Sequence, residues 1–246
     1  MAGEAWYLLE QPPVVGELLL DGAEGRHAAT VRRTRVGERI VLTDGAGAVG
    51  SGVVLSVEKS SLVARVDEVR AEPRPAVTVT VVQALPKGER SDLVVELLTE
   101  AGVDAVVPWQ AARCVARWEG PKAAKGVAKW RTIARESAKQ ARRPWIPAVA
   151  ELADTAEVVR LIAAADLALV LHEAADAPGA ALTDVDWPVA AEVVLVVGPE
   201  GGVAPQEIER FTAAGARTVR LGPQVLRTST AGAVALGALG VLARRW

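Results

Sequence analysis

Cysteine and histidine are nearly missing from this chain: 246 residues carry one cysteine and two histidines. Cys114 alone excludes an internal disulfide. With only His27 and His172 to join it, a soft-metal site lacks donors, and no metal is expected. Half of the residues are hydrophobic, yet no run of about 18 uncharged apolar residues occurs, so no membrane-spanning helix and no membrane partner are expected. The stretch Met1-Ala2-Gly3-Glu4-Ala5-Trp6 has no basic region leading into an apolar core. No secretory leader is read there, and a cytoplasmic protein is expected. The length suits one large domain or two modest ones with a substantial core.

A strong net charge is missing too, at −2, but the balance hides an asymmetry. Between residues 113 and 143 lie Arg113, Arg117, Lys122, Lys125, Lys129, Arg131, Arg135, Lys139, Arg142 and Arg143, against Glu119 and Glu136 alone. The following stretch, from Glu151 to Ala216, is strongly acidic, with only Arg160 and Arg210 as cations. The local basic block is therefore the usable signal. A helix over Lys125–Arg142 places Val127, Trp130, Ile133, Ala134, Ala138 and Ala141 on one side. Lys125, Lys129, Arg131, Arg135, Lys139 and Arg142 fall on the other. Such a face is either merely solvated or made for a polyanion. The scarcity of balancing acid favours phosphates, through counterion release. A second basic cluster holds Arg26, His27, Arg32, Arg33 and Arg35, where His27 serves equally well as a capping or packing residue.

Residues 1–72 read as a small β-rich domain, with short strands at Leu18–Leu20, Arg39–Thr43, Val53–Val57 and Leu62–Val69 and a helix near Glu24–Arg33. Glu72-Pro73-Arg74-Pro75 reads as a stiff linker, because each proline fixes φ and restrains its predecessor. Residues 76–246 then alternate strands and helices, the pattern of an α/β domain. Val77–Gln83 and Val103–Pro108 are expected strands, with a helix over Ser91–Ala101 between them. Gly45, Gly47 and Gly50 satisfy the spacing of a dinucleotide fingerprint, but that motif needs a helix next. The β-prone Val53–Val57 follows instead, and Asp44-Gly45 signals a hairpin.

Three expected strands end in loops suited to a ligand. Leu167–Leu171 runs into His172, Val193–Val197 into Gly198-Pro199-Glu200-Gly201-Gly202, and Thr218–Leu221 into Gly222-Pro223-Gln224-Val225-Leu226-Arg227-Thr228-Ser229-Thr230-Ala231. Glycines at such ends admit a ligand to backbone N–H and C=O groups, at the edge where open α/β sheets bind. Turn geometry without a ligand is the competing reading. Pro205-Gln206-Glu207 opens a helix, with the acid complementing its dipole. In the last helix Thr230 is the expected N-cap. Gly232, Gly237 and Gly240 there each cost about 1 kcal/mol of helix propensity. Close backbone approach would offset that, to a bound ligand at Gly232 and to a neighbouring helix at the other two, with plain tight packing within the monomer as the alternative.

In order and wording, Val196–Gly202 and Leu221–Ala231 resemble the RsmE family of 16S rRNA uridine-N3 methyltransferases, within the knotted SPOUT superfamily. Gln83-Ala84-Leu85-Pro86-Lys87-Gly88-Glu89-Arg90 is similar to that family's strand-end motif, and Gln140, Arg142, Arg143 and Pro147 to its Q-x-R…P segment. His27-Ala28-Ala29-Thr30-Val31-Arg32-Arg33 resembles an N-terminal signature, with Arg32 where an apolar residue is usual. The resemblance implies an α/β protein: an N-terminal PUA-like β-barrel over 1–72 and a SPOUT domain with a trefoil knot over 76–246. It implies S-adenosylmethionine held by Leu171, His172, Gly198, Gly201, Gly202, Leu221, Gly222, Leu226 and Thr228. RNA contacts are expected from Arg26, His27, Arg32, Arg33, Lys87, Arg90, Lys125, Lys129, Arg135, Lys139 and Arg143. His172 has a structural role as its alternative.

The implied reaction methylates N3 of a uridine in 16S rRNA, free or in the assembled small subunit, by a homodimer. Removing the N3 proton favours a cation that stabilises the ring anion, as oriented donors do for oxyanions. Arg227 is the first candidate and Arg142 the second, in the same subunit or from the other. Glu200 reads as a loop-stabilising acceptor rather than an orienting acid. Ser229 stands where many relatives carry Glu, which argues against a carboxylate base at that position. Two rivals remain: a SPOUT methyltransferase acting on another RNA site, and a non-catalytic RNA-binding or ribosome-assembly factor.

Overall fold

The computed structural model describes residues 4–88, 90–173 and 180–245; Glu89 of the Gln83–Arg90 motif lies outside them. The chain forms two compact units: Met1–Arg74 with Ala138–Ile146, and Pro75–Ser137 with Pro147–Trp246.

The first unit holds β1 (Ala5–Leu8), β2 (Gly16–Leu20), α1 (Gly22–Arg26), a π-helical turn (His27–Val31), β3 (Arg39–Thr43), β4 (Ala48–Val57) and β5 (Leu62–Ala71). Its sheet runs β1-β3-β4-β5-β2, with β1 parallel to β3 and the other pairs antiparallel. Four of these strands follow the alternation in the sequence. β1 escaped it, because four residues carry too short a pattern. Alternation buries Ile40, Leu42, Val54, Leu62, Ala64 and Val66 against Tyr7 and Ala28. The Tyr7 hydroxyl lies 2.6 Å from Thr34 Oγ1. Gly45 and Gly47 take φ of 71° and 100° in the β3–β4 hairpin, and Asp44 Oδ1 accepts the Ala46 and Ala48 N–H groups. The apparent fingerprint is this hairpin turn. Trp145 completes the unit: its indole N–H donates to Glu72 O at 3.0 Å, and the Arg74 guanidinium stacks 4.0 Å from its ring.

The second unit contains β6 (Val77–Ala84), α2 (Arg90–Glu100), β7 (Ala105–Trp109), α3 (Pro121–Gln140, its last turn counted with the first unit), β8 (Ala148–Val149), α4 (Thr155–Ala164), β9 (Leu167–Leu171), β10 (Ala191–Val197), α5 (Pro205–Ala213), β11 (Arg217–Val219) and α6 (Thr228–Leu242). The sheet is parallel throughout, in the order β11-β9-β10-β6-β7-β8. β10 lies between β9 and β6, and its run Val193–Val197 is buried on both faces and uniformly apolar. Trp109 is fully buried and meets Phe211 edge-on at 5.4 Å; a buried aromatic of this size dominates the local packing energy.

Three local expectations are corrected. α3 begins at Pro121 and ends at Gln140, because proline suits a first helical turn and the chain turns to φ 55° at Arg142. Thr230 is not the cap of α6. Arg227 occupies that place with extended backbone, its carbonyl accepts the Thr230 and Ala231 N–H groups, and the Thr230 hydroxyl turns back onto it at 3.2 Å. Gly232 answers to α2: a Cβ there would lie 2.7 Å from Leu98 Cδ2.

Candidate active site

Because β9, β10 and β11 are parallel, their carboxyl ends lie at one edge of the sheet, and there a cavity of about 490 Å³ opens. Leu171 and His172 line it after β9, and Gly198, Gly201 and Gly202 after β10. Leu221, Gly222 and Leu226 line it after β11, and Thr228 at the head of α6. All nine residues expected to hold a cofactor are thus brought together. Arg227 joins them, exposed and, among the described residues, without an ion pair or side-chain hydrogen bond. Arg142 is not in this cavity; it lines a separate pocket in the first unit.

The loops that shape the cavity are tied down by polar groups, two of the ties exposed and the others buried or partly buried. Lys87 N–H donates to Glu200 Oε1 at 3.1 Å, so Glu200 fastens the β10–α5 loop to the β6–α2 loop. Arg113 Nη1 donates to Gly201 O at 3.1 Å. Glu207, only 4% exposed, accepts from Ala112 N–H, the Thr155 hydroxyl and Ala204 N–H at 2.9, 2.9 and 3.1 Å. A carboxylate with three donors is a clamp between distant segments, stronger than its expected dipole role. Gln83 Nε2 donates to Ala84 O at 3.0 Å and reaches Thr228 O at 3.4 Å. The roles of Arg113 and Glu207 escaped sequence reasoning, since their partners are up to 95 residues away.

The glycines differ in what requires them. A Cβ on Gly198 would strike Val203 Cγ2 at 2.7 Å, and Gly202 has φ 73°, so local packing and turn geometry account for both. Gly222 has ordinary φ and no atom closer than 3.7 Å to an added Cβ. Among the described residues nothing demands glycine there, and its open side is the cavity. Cys114 lies near this region as a buried thiol, with its pKa raised by desolvation, and stays protonated and unreactive at neutral pH.

The expected RNA contacts are spread over both units. Arg26, Arg32, Arg33, Lys87, Arg90, Lys125 and Lys129 are exposed, and His27, Arg135 and Arg143 partly so. Lys129 pairs with Asp92 at 2.6 Å. Lys139 departs from the expected solvated face. It is 6% exposed, and its ammonium holds Glu24 at 2.8 Å, because the end of α3 is buried within the first unit. Among the described residues, no group of three His, Cys, Asp or Glu side chains is placed to hold a metal, and no helix is long and apolar enough to cross a membrane.

Fold and cavity define a class that comparison with known proteins makes specific. A family model described as RNA methyltransferase domain matches residues 72–240, and one described as RNA methyltransferase PUA domain matches residues 20–67. A ribosomal RNA small subunit methyltransferase E of Mycobacterium tuberculosis is 49% identical over 250 aligned residues, covering 100% of this chain and 94% of that protein. The crystal structure of the Neisseria gonorrhoeae enzyme of that name, bound to S-adenosyl methionine, superposes with a TM-score of 0.84 at 27% identity and 98% coverage of both chains. A Legionella pneumophila methyltransferase in complex with the same cofactor gives 0.81 at 30% identity, covering 97% of this chain and 96% of that one. The chain belongs to the ribosomal RNA small subunit methyltransferase E family of RNA methyltransferases.

Proposed function

We propose that this chain uses S-adenosylmethionine to methylate N3 of one uridine in 16S ribosomal RNA, free or within the assembled small subunit. The observation that carries the reading is the single cavity into which all three strand-end loops open, lined by the nine expected residues. Its volume of about 490 Å³ lies in the range of small-ligand sites. Gly222 leaves room where a side chain would intrude. The two relatives solved with this cofactor, covering 98% and 97% of the chain, support the same assignment.

When bound, the cofactor supplies an electrophilic methyl group on a sulfonium centre. Backbone groups of residues 198–202 and 221–228 hold it, with their positions fixed by Glu200, Glu207 and Arg113. The N3 proton of uracil passes to solvent, the anionic charge that develops spreads over the ring oxygens, and N3 then takes the methyl group as S-adenosylhomocysteine leaves. Arg227, exposed at the cavity wall with its guanidinium unengaged among the described residues, offers its donors to that charge. Arg142 is the alternative, supplied by the same or a second subunit.

The reading extends to the whole molecule. The first unit's sheet closes as a PUA-like barrel. The second unit carries a trefoil knot through the β10–α6 region, and two copies form a homodimer in the cytoplasm. Val234 and Val241 on α6 and Leu93 on α2, respectively 49%, 69% and 41% exposed, offer an apolar face for pairing. Methyl transfer from tritiated S-adenosylmethionine tests the activity. Label should enter in vitro transcribed small-subunit rRNA or isolated small subunits, and failure with both contradicts the assignment.

A further inference from the structure

Along β6 the residues Val77, Val79, Val81 and Gln83 share one face, and all are buried. Gln83 alone among them is polar, and its side chain is wholly enclosed. Burying an amide costs desolvation unless its polar atoms are bonded. One end is bonded: Nε2 donates to Ala84 O at 3.0 Å and to Thr228 O at 3.4 Å. Oε1 is buried and accepts from no described residue. An apolar side chain of similar size would escape that cost. Core stability therefore does not account for a glutamine here, and what the amide adds is its reach to Thr228.

Thr228 opens α6 and lines the cofactor cavity, and Arg227 before it caps the helix. The first turn of α6 can approach β6 because Gly232 has no side chain. A Cβ there would lie 2.7 Å from Leu98 Cδ2 and 3.7 Å from Gln83 Oε1. On the ladder, Gln83 is in register with Val197 of β10, another residue of the cavity wall. Gln83 is thus joined to the cavity on two sides, by its backbone to the end of β10 and by its side chain to the head of α6.

The far end of α6 is fastened separately. Arg245 Nη2 donates to Asp104 Oδ2 at 2.8 Å and to Gly102 O at 3.0 Å, with both charged side chains nearly buried. Asp104 Oδ2 also accepts the Val79 N–H at 2.7 Å. Val79 lies near the amino end of β6 and Gln83 near its carboxyl end. The two fastenings of α6 therefore sit at opposite edges of the sheet, and only the one at Gln83 is beside the cavity.

We infer that Gln83 is a positioning residue for the cofactor site: its amide seats the first turn of α6 and so sets where Thr228 and Arg227 stand at the cavity wall. A loop held in place before the ligand arrives spares binding the cost of ordering it. The inference rests on the S-adenosylmethionine reading of the cavity.

The test uses the full-length protein, with calorimetry on S-adenosylmethionine and amide hydrogen exchange in its absence. Gln83→Met should weaken cofactor binding at least tenfold, about 1.4 kcal/mol. It should speed exchange at residues 230–232, while residues 236–242 exchange as in the wild type. Gln83→Glu adds a pH signature. Burial keeps the introduced carboxyl protonated above the usual carboxylate range, and the neutral acid donates to Thr228 O where the carboxylate cannot. Its affinity relative to wild type should be near parity at pH 6 and fall at least fivefold by pH 8.5. In steady-state methylation, Gln83→Met should raise KM for S-adenosylmethionine more than it lowers kcat. Arg245→Gln, at the other end of α6, should lower the melting temperature yet keep cofactor affinity within twofold of wild type.

Cofactor affinity within twofold of wild type in Gln83→Met, or a ratio that does not change with pH in Gln83→Glu, overturns the proposal. An equal loss of affinity in Arg245→Gln overturns it as well, because it would mean that any loosening of α6 has the same effect. If Gln83→Met fails to fold, the pH profile of Gln83→Glu decides alone. Absence of S-adenosylmethionine binding by the wild type would instead count against the proposed function, and the exchange at residues 230–232 would still report on the seat of α6.

Discussion

At the residue scale, two side chains of the cavity separate holding the cofactor from doing chemistry. Gly222 faces open space with an ordinary φ, so a larger residue there intrudes on the ligand without straining the chain. Gly222→Val should lower S-adenosylmethionine affinity at least tenfold by calorimetry, about 1.4 kcal/mol. The melting temperature should stay within about 2 °C, as for other substitutions that leave the packing intact. Arg227→Ala should cut kcat by roughly 10²–10³, the usual effect of removing a preorganised donor from a developing anion. S-adenosylmethionine should still bind within a few-fold of wild type. Activity of that variant should recover in part as pH rises, since the N3 proton then leaves more readily without help. Loss of cofactor affinity with kcat intact at saturation would make Arg227 a support of its loop. Both residues stood out in the sequence, because glycine and a lone cation inside a loop after a strand are local signals. Arg113 and Glu207 did not, because their meaning depends on Gly201 in one case and on Ala112 and Thr155 in the other. Such long-range polar pairs leave no mark on spacing.

At the scale of elements, α3 divides into two parts with different physics. Lys125 and Arg135 reach solvent, whereas Lys139 is buried against Glu24. Replacing Lys125 and Arg135 with Gln should flatten the salt dependence of RNA binding by up to about 0.7 per lost phosphate contact on a single strand, with urea stability unchanged. Lys139→Ala should do the reverse. It leaves a nearly buried carboxylate unpaired and should cost about 3 kcal/mol in urea unfolding. A helical wheel separated apolar from charged positions correctly along most of α3, and Val127, Trp130, Ala134 and Ala138 are all buried. It failed at Lys139 because a wheel knows one packing partner per helix, while the last turn of α3 is enclosed in the first unit. The strands β9 and β10 were legible for the opposite reason. Coverage on both faces makes the whole run apolar, a signal no alternation can blur.

At the scale of the whole molecule, the parallel sheet decides where chemistry takes place. Three strand ends at one edge bring two Gly-rich loops and the Leu171-His172 segment into one cavity, and this convergence is invisible until the order β11-β9-β10-β6-β7-β8 is known. The proposed homodimer would pair through α6, where Val234 and Val241 are exposed. Val241→Glu should shift a dimer to a monomer in light scattering while leaving the far-ultraviolet circular dichroism unchanged. A wild type that scatters as a monomer would remove the second subunit as a source of Arg142.

The central claim is methylation of uridine N3 in small-subunit rRNA, and nucleoside mass spectrometry tests it most directly. Small-subunit rRNA is compared from cells with this chain, without it, and with only the Gly222→Val form. The account predicts that 3-methyluridine is present in the first, absent in the second, and strongly reduced in the third. Unchanged 3-methyluridine without the chain, or loss of a ribose-methylated nucleoside instead, would contradict it.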